Sequence, residues 1–303
     1  MPSYVEPTPD QRIVEAAAQL PAHGGVTGWA SLRWQGATWF DGTDRGQRLR
    51  PVTLALGTRH SKRPNRTVSV SQELVPPSEV RRCRGIRVTS ALWSVAFEMR
   101  KAHNDVDAVV AFDMAAYADL VSVAALAAFI DEALWIRQGV QRVRDLMPLL
   151  DENAWSPIES LMRLAWQSGG FPRALTNHPV HDAHGRFVGT PDLFDVDAGV
   201  YGLYDGALHL AGQVRSGDVV KEAAYRSLGL EGVTMMAGDL SDTGPFLQRL
   251  RQAYARAGRR PAEARGWLAE PPAWWVPTFT VTQRRALSAY DRTRLLISLG
   301  LVR

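Results

Sequence analysis

Glu159, Asp192 and Asp205 are the residues in this chain whose type and spacing most suggest chemistry. They stand in Ser156-Pro-Ile-Glu159, Gly189-Thr-Pro-Asp192 and Tyr204-Asp205-Gly. A hard cation such as Mg2+ takes several oxygen ligands at roughly 2 Å, and it promotes phosphodiester cleavage by polarising phosphate and acidifying a bound water. Carboxylates on neighbouring strands supply such oxygens. His209, Asp218, Lys221 and Glu222 follow closely, and Lys221 is a candidate to place positive charge beside the scissile group. Each piece also has a structural reading. Ser156-Pro-Ile-Glu159 is a capping box with proline at the first helical position. Asp192 and Asp205 suit strand ends, Asp205-Gly206 being a common turn pair. Asp218 suits the first turn of a helix, and His209 a surface position. The residues by themselves leave both readings open.

The elements that must position them follow from turn signals and periodicity. A helix from Ser156 stops at the paired glycines 169 and 170. Strands are expected at 174–180, 187–196 and 199–205, the first two joined by Asp182-Ala-His-Gly185, then a helix at 216–228, a strand at 232–236 and an amphipathic helix at 244–257. The order α, three strands, α, strand, α argues an α+β or mixed α/β fold. On a strand, positions 203 and 205 share a face and Tyr204 takes the other.

The first half has another character. Helices are expected at 9–20 and, with Thr27 as cap, from 27 to about 36. Residues 51–90 hold short alternating runs read as antiparallel strands around a polar turn, and helical periodicity returns from 90 to 150 with breaks near 103–104 and 139. Between Arg45 and Lys101 stand thirteen Arg or Lys but only Glu73, Glu79 and Glu98 as acids. Arg59, Lys62, Arg63, Arg66, Arg81, Arg82 and Arg84 are therefore the candidates for phosphate contact; a hairpin edge blunted by charge is the structural alternative.

The 303 residues, 46% hydrophobic and 22% charged, exclude a disordered chain and favour two domains. We place them at 1–150 and 151–261, with a Pro- and Trp-rich tail or flap at 262–303. Cys83 is the lone cysteine, so no intramolecular disulfide forms. The N-terminus lacks the pattern of a signal peptide and no stretch has the length and apolarity of a membrane span. A cytoplasmic protein with no membrane partner is expected.

Taken in order, Ser156-Pro-x-Glu159, Phe171-Pro-Arg, Asp182-x-x-Gly-Arg186, Gly189-Thr-Pro-Asp192, Tyr204-Asp-Gly-x-x-His209, Asp218, Glu222, Arg226 and Leu228-Gly229 resemble the very-short-patch-repair endonuclease-like branch of the PD-(D/E)xK nuclease superfamily. The first half, through Val26-Thr-Gly-Trp-Ala-Ser-Leu-Arg-Trp34, the strands around Val52 and Val68, and Gly85-Ile-Arg-Val-Thr-Ser-Ala-Leu-Trp-Ser94, is similar to AbiEi-type abortive-infection antitoxins and related transcriptional regulators. The resemblance implies an αβββαβ core, Glu159, Asp192 and Asp205 as Mg2+ ligands, and Lys221 and His209 in the catalytic neighbourhood. The chain departs from the nuclease pattern at Leu203, where the strand normally carries a glutamate ligand. Leucine offers no donor atom, so a weakly held Mg2+ and a degenerate site are expected, with Leu203 filling the vacant ligand position. The implied function is a nucleic-acid-associated, DNA-binding regulator or antitoxin with a cognate toxin as partner. An active Mg2+-dependent DNA endonuclease and a protein-binding antitoxin with a structural C-terminal domain are the alternatives.

Overall fold

The computed structural model describes residues 7–58, 60, 62–205, 221–261 and 265–298. The chain forms two compact units, Met1–Glu152 and Asn153–Arg303, and the segment read as a tail or flap falls within the second. The fold class is α+β, as expected.

In the first unit, Thr8 caps α1 (Pro9–Ala17) by accepting from the Gln11 amide. A five-stranded sheet follows in the order β3-β2-β1-β5-β4, from β1 (Gly25–Thr27), β2 (Val52–Ala55), β3 (Val68–Ser71), β4 (Val80–Cys83) and β5 (Ile86–Thr89), with α2 (Gly28–Trp34) directly after β1. The expectation of a small antiparallel sheet is corrected here. β1–β2 and β4–β5 are antiparallel, but β2 pairs with β3 in parallel, Val52 opposite Val68, and β1 pairs with β5 in parallel. Residues 56–67 do not turn back as a hairpin; they return the chain to the start of β2, where the Asn65 side chain accepts from the Thr67 and Val68 amides and sets β3 going. Parallel neighbours need such a crossover.

Two buried polar groups tie this sheet to its helices. Glu98 of α3 (Ala91–Lys101) accepts from the Trp29 amide at 2.8 Å and from Arg50 at 2.7 Å. Gly28 makes room for it: its φ is +63°, and a Cβ there would lie 2.3 Å from the Glu98 carboxylate. Beside it, the buried hydroxyls of Thr27, Ser31, Thr89 and Ser94 satisfy one another. Beyond α3, the helical stretch is divided more finely than its periodicity suggests, into α4 (Asp105–Tyr117), α5 (Val123–Ala133) and α6 (Val140–Leu146). Asp119, with φ +57°, ends α4, and Ser122 caps α5.

In the second unit, α7 (Pro157–Ser168), β6 (Leu175–Thr176), β9 (Leu193–Asp195), β10 (Val200–Asp205), α8 (221–227) and β11 (Glu231–Met236) give the order α, β, β, β, α, β. The sheet runs β11-β10-β9-β6; β10 and β11 are parallel and the other pairs antiparallel. Two expected strands are each cut in two. Asn177, at φ +49°, ends β6 before Pro179, and Thr190-Pro191 interrupts the next run, so β7 (Val180–His181) and β8 (Phe187–Gly189) leave the main sheet as a separate two-stranded ribbon. Val200 and Gly202 face α7 and α9 (Gly244–Ala257) in a core with Met162, Trp166, Leu193 and Phe246. A Cβ on Gly202 would stand 3.2 Å from the Trp166 ring. Tyr201 and Leu203 face the other way, into a smaller cluster with Phe194, Tyr225 and Leu230.

The described part of the C-terminal segment, with α10 (Val281–Ala286) and α11 (Ala289–Ser298), is pinned to the β7–β8 ribbon. Leu268 donates to the His181 carbonyl, Ala183 donates to the Gly266 carbonyl, Trp274 and Trp275 pack edge-on to the His181 ring, and Phe279 stacks on His178 at 5.0 Å. Burial, reinforced by His181, lowers the His178 imidazole to about 4, whereas an unfolded imidazole titrates near 6.5. Between those values the unfolded chain binds a proton that the folded chain refuses, so stability rises with pH across the window and levels off above it. Urea unfolding at neutral pH and at about pH 5 should show the acid loss in the protein as it stands and a smaller one in His178→Phe; equal losses in both would contradict the assignment.

Candidate functional site

The carboxylates singled out in the second unit lie at one end of its sheet, and Glu159 and Asp192 are held by the chain itself. Ser156 caps α7, accepting from the Glu159 amide at 3.3 Å and donating its hydroxyl to Glu159 Oε1 at 2.9 Å. Glu159 Oε2 accepts from the Trp155 amide at 2.7 Å and from Asn177 Nδ2 at 2.5 Å. Asn177 also donates to the Asn153 carbonyl, and its own amide donates to the Asp192 carbonyl. Glu159 is thus the centre of a knot that fastens the start of α7 to the end of β6 and the start of β9.

Asp192 precedes β9. Continued from Leu193 opposite Gly202, the register sets it across from Leu203, and its Oδ2 accepts from the Tyr204 amide at 2.7 Å. The carboxylate takes the place of a ladder acceptor where the sheet pairing ends. Its charge also reaches Tyr225, whose phenol is raised first by burial, then by Tyr201 and Asp192. Asp205 is the last residue of β10, exposed, opposite Met236. Leu203 does stand beside Asp192, but its side chain packs with Phe194, Tyr201 and Tyr225. Lys221 lies exposed on α8; His209 and Asp218 lie outside the described residues.

Among the described residues, no three His, Cys, Asp or Glu side chains come together as a metal-binding group. Glu159, Asp192 and Asp205 are therefore not gathered around one point. The physical reason is side-chain alternation: α7 covers the face of Val200 and Gly202, whereas Leu203 and Asp205 belong to the opposite face. Asn177, which organises this end, carried no sequence signal, because its role depends on a left-handed backbone and on partners 15 to 24 residues away.

The basic residues of the first unit divide between the two ends of its sheet: the β4–β5 hairpin lies where β1 begins, and Arg66, two residues before β3, lies at the opposite end, where β2 starts. Cys83 and Ile86 close a two-residue hairpin in which Arg84 (φ +44°) and Gly85 (φ +83°) both take the left-handed form, the arrangement that matches strand twist. Arg82, Arg84 and Arg81 are exposed on this hairpin, and Arg81 donates to the Gln35 side chain. Arg82 sits directly opposite Arg87, a like-charge pairing that costs stability. Arg87 donates to the Pro21 and Ala22 carbonyls, and Lys62 donates to Gln19. The loop before β1 therefore carries one basic residue from each of the two stretches. Arg63 and Arg66 are exposed in the crossover, and Arg59 lies outside the described residues. Among the described residues, Arg63, Arg66, Arg82 and Arg84 have no carboxylate partner, in contrast to Arg50 on Glu98 and Arg100 on Glu73.

A cation-ligating role and a structural role for Glu159 make opposite demands on stability. Removing a carboxylate kept for a ligand relieves repulsion and leaves stability unchanged or higher. Removing one that satisfies buried donors costs about 2–3 kcal/mol. Urea unfolding of Glu159→Ala should show that loss, and stability equal to or above that of the parent protein would contradict the structural role. Comparison of the chain with protein-family models, with curated proteins and with solved structures returns no match.

Proposed function

We propose that this protein is a nucleic-acid-binding regulator or antitoxin of AbiEi-like type, with a C-terminal unit that keeps the PD-(D/E)xK strand order but not its metal site. The observation that carries the binding role is the set of exposed arginines without carboxylate partners, among the described residues, in the crossover before β3 and on the β4–β5 hairpin. Arginine forks suit phosphate, and a solvent-facing row of them costs folding energy that a polyanion would return. The support for the second half of the reading is the α, β, β, β, α, β order with β10 and β11 parallel.

The donor set does not fit Mg2+. Glu159 has both oxygens engaged by Trp155, Ser156 and Asn177; Asp192 accepts from the Tyr204 amide; and the position opposite Asp192 is an apolar leucine packed on aromatic rings. No catalytic step is assigned to these residues. Among the described residues, no helix is long and apolar enough to cross a membrane.

The test is the affinity of the full chain for duplex DNA, followed by anisotropy over a range of NaCl. Each phosphate contact contributes about 0.9 to the slope of log K against log salt. Arg66→Gln, Arg82→Gln and Arg84→Asn combined, the last keeping a residue that tolerates positive φ, should weaken binding and flatten the slope by roughly 2–3. Unchanged affinity and slope would overturn the reading in favour of a purely protein-binding role.

A further inference from the structure

Two clefts in the second unit share Arg260. One, of about 340 Å3, opens along β11 beside Tyr201 and Thr234 and is lined by Arg226, Arg256 and Arg260 against Glu222 and Glu231. The other, of about 240 Å3, is lined by Trp267, Tyr254 and Pro261 together with Arg260 and Arg265. We propose that together they form a binding site for a nucleoside phosphate, with the phosphate in the arginine-lined cleft and the base against Trp267.

The charge arrangement supports the phosphate half. Glu231 accepts from Arg256 at 2.7 Å and from Arg260 at 2.6 Å, so a single carboxylate serves two guanidiniums and leaves positive charge over. Burial opposes ionisation of Glu231, but the bonds and charges of Arg256 and Arg260 outweigh it and keep the carboxyl below its ordinary value. The fork is therefore formed at neutral pH. Arg226 is exposed on α8, one turn after Glu222, and among the described residues it has no ion pair at the distance of those two. The Tyr201 phenol, raised to about 12 first by burial and then by Glu222, stays protonated as a donor.

The aromatic half is built to hold one indole in place. Trp267 Nε1 donates to the Val196 carbonyl at 3.0 Å, and the Arg265 guanidinium lies 5.7 Å from the ring centroid. Gly199, at φ +69°, lets the ring lie against β10, since a Cβ there would come within 2.5 Å of it. A fixed indole is a stacking platform for a planar base. The arginine-lined cleft, at about 340 Å3, is within the range of ordinary small-molecule sites, about 300–1,000 Å3. Trp267 packs in part on the core cluster of Phe194, Tyr201 and Tyr225, and its remaining surface lines the cleft beside Arg260.

The site is separate from the exposed arginines of the first unit and is tested separately. Isothermal titration of the full chain with 5′-AMP, adenosine and inorganic phosphate should show saturable AMP binding that is tighter than either part. Arg226→Ala, which removes an exposed side chain, should weaken AMP roughly tenfold, the loss of one charge-assisted contact, while leaving adenosine unchanged. Arg226→Lys should recover part of the loss, since the charge returns without the fork. Absence of AMP binding, AMP binding indifferent to Arg226→Ala, or an equal loss for adenosine would overturn the proposal. Competition of bound AMP by a 5′-phosphorylated but not a 5′-hydroxyl oligonucleotide identifies a strand end as the ligand; no competition by either identifies a free nucleotide. Duplex affinity retained in Arg226→Ala separates this site from the duplex contact of the first unit.

Discussion

The Glu159 carboxylate is the constraint on which the architecture of the second unit turns. A helix N-terminus leaves amide donors without intrahelical partners, and a buried donor left unmet costs about 1–3 kcal/mol. Ser156 and Glu159 answer that demand in a capping box, and Glu159 reaches beyond it to Asn177, whose left-handed backbone ends β6 and delivers its own amide to Asp192. The position of α7 on the sheet and the start of β9 both rest on this one side chain. The same geometry decides its chemistry, because oxygens committed to three internal donors are poor ligands for a cation that wants them all.

In the first unit, Glu98 has the matching role. It receives the Trp29 amide at the start of α2 from within α3 and draws in Arg50, and only a glycine at position 28 leaves it room. Once that charge is spent inward, the remaining arginines of the basic stretch have few acids to meet. They stand exposed in the crossover before β3 and on the β4–β5 hairpin. An edge strand rich in arginine resists pairing with other chains, which explains charge on β4. It does not explain Arg82 facing Arg87 across the hairpin, or further exposed arginines in the crossover. The proposed contact with a polyanion would account for all three.

Local signals were legible in the sequence. The capping box of α7 and the boundaries of α9 follow from proline, serine and apolar spacing over a few residues, and β10 from an alternating run. Relations between distant segments were not. The parallel pairing of β2 with β3 is set by where residues 56–67 carry the chain, and alternating residues alone do not distinguish it from a hairpin. The two divided strands turn on a positive φ at Asn177 and on Thr190-Pro191, and the ribbon they release becomes the seat of Trp274, Trp275 and Phe279. Among the candidate ligands, the shared face of Leu203 and Asp205 was readable from strand parity, and the pairing of Leu203 with Asp192 follows from the β9–β10 register. The engagement of Glu159 by Asn177 depended on a tertiary contact that no spacing announces.

The proposed loss of the metal site is tested most directly by titrating the full-length protein with Mg2+ while following its thermal unfolding. A ligand that binds only the folded state raises the melting temperature in proportion to its affinity. The account predicts no saturable rise in Tm up to about 10 mM Mg2+ beyond that of a salt control at the same ionic strength. A saturable Mg2+-dependent stabilisation that disappears in Asp192→Ala would contradict it and show that these carboxylates ligate the ion.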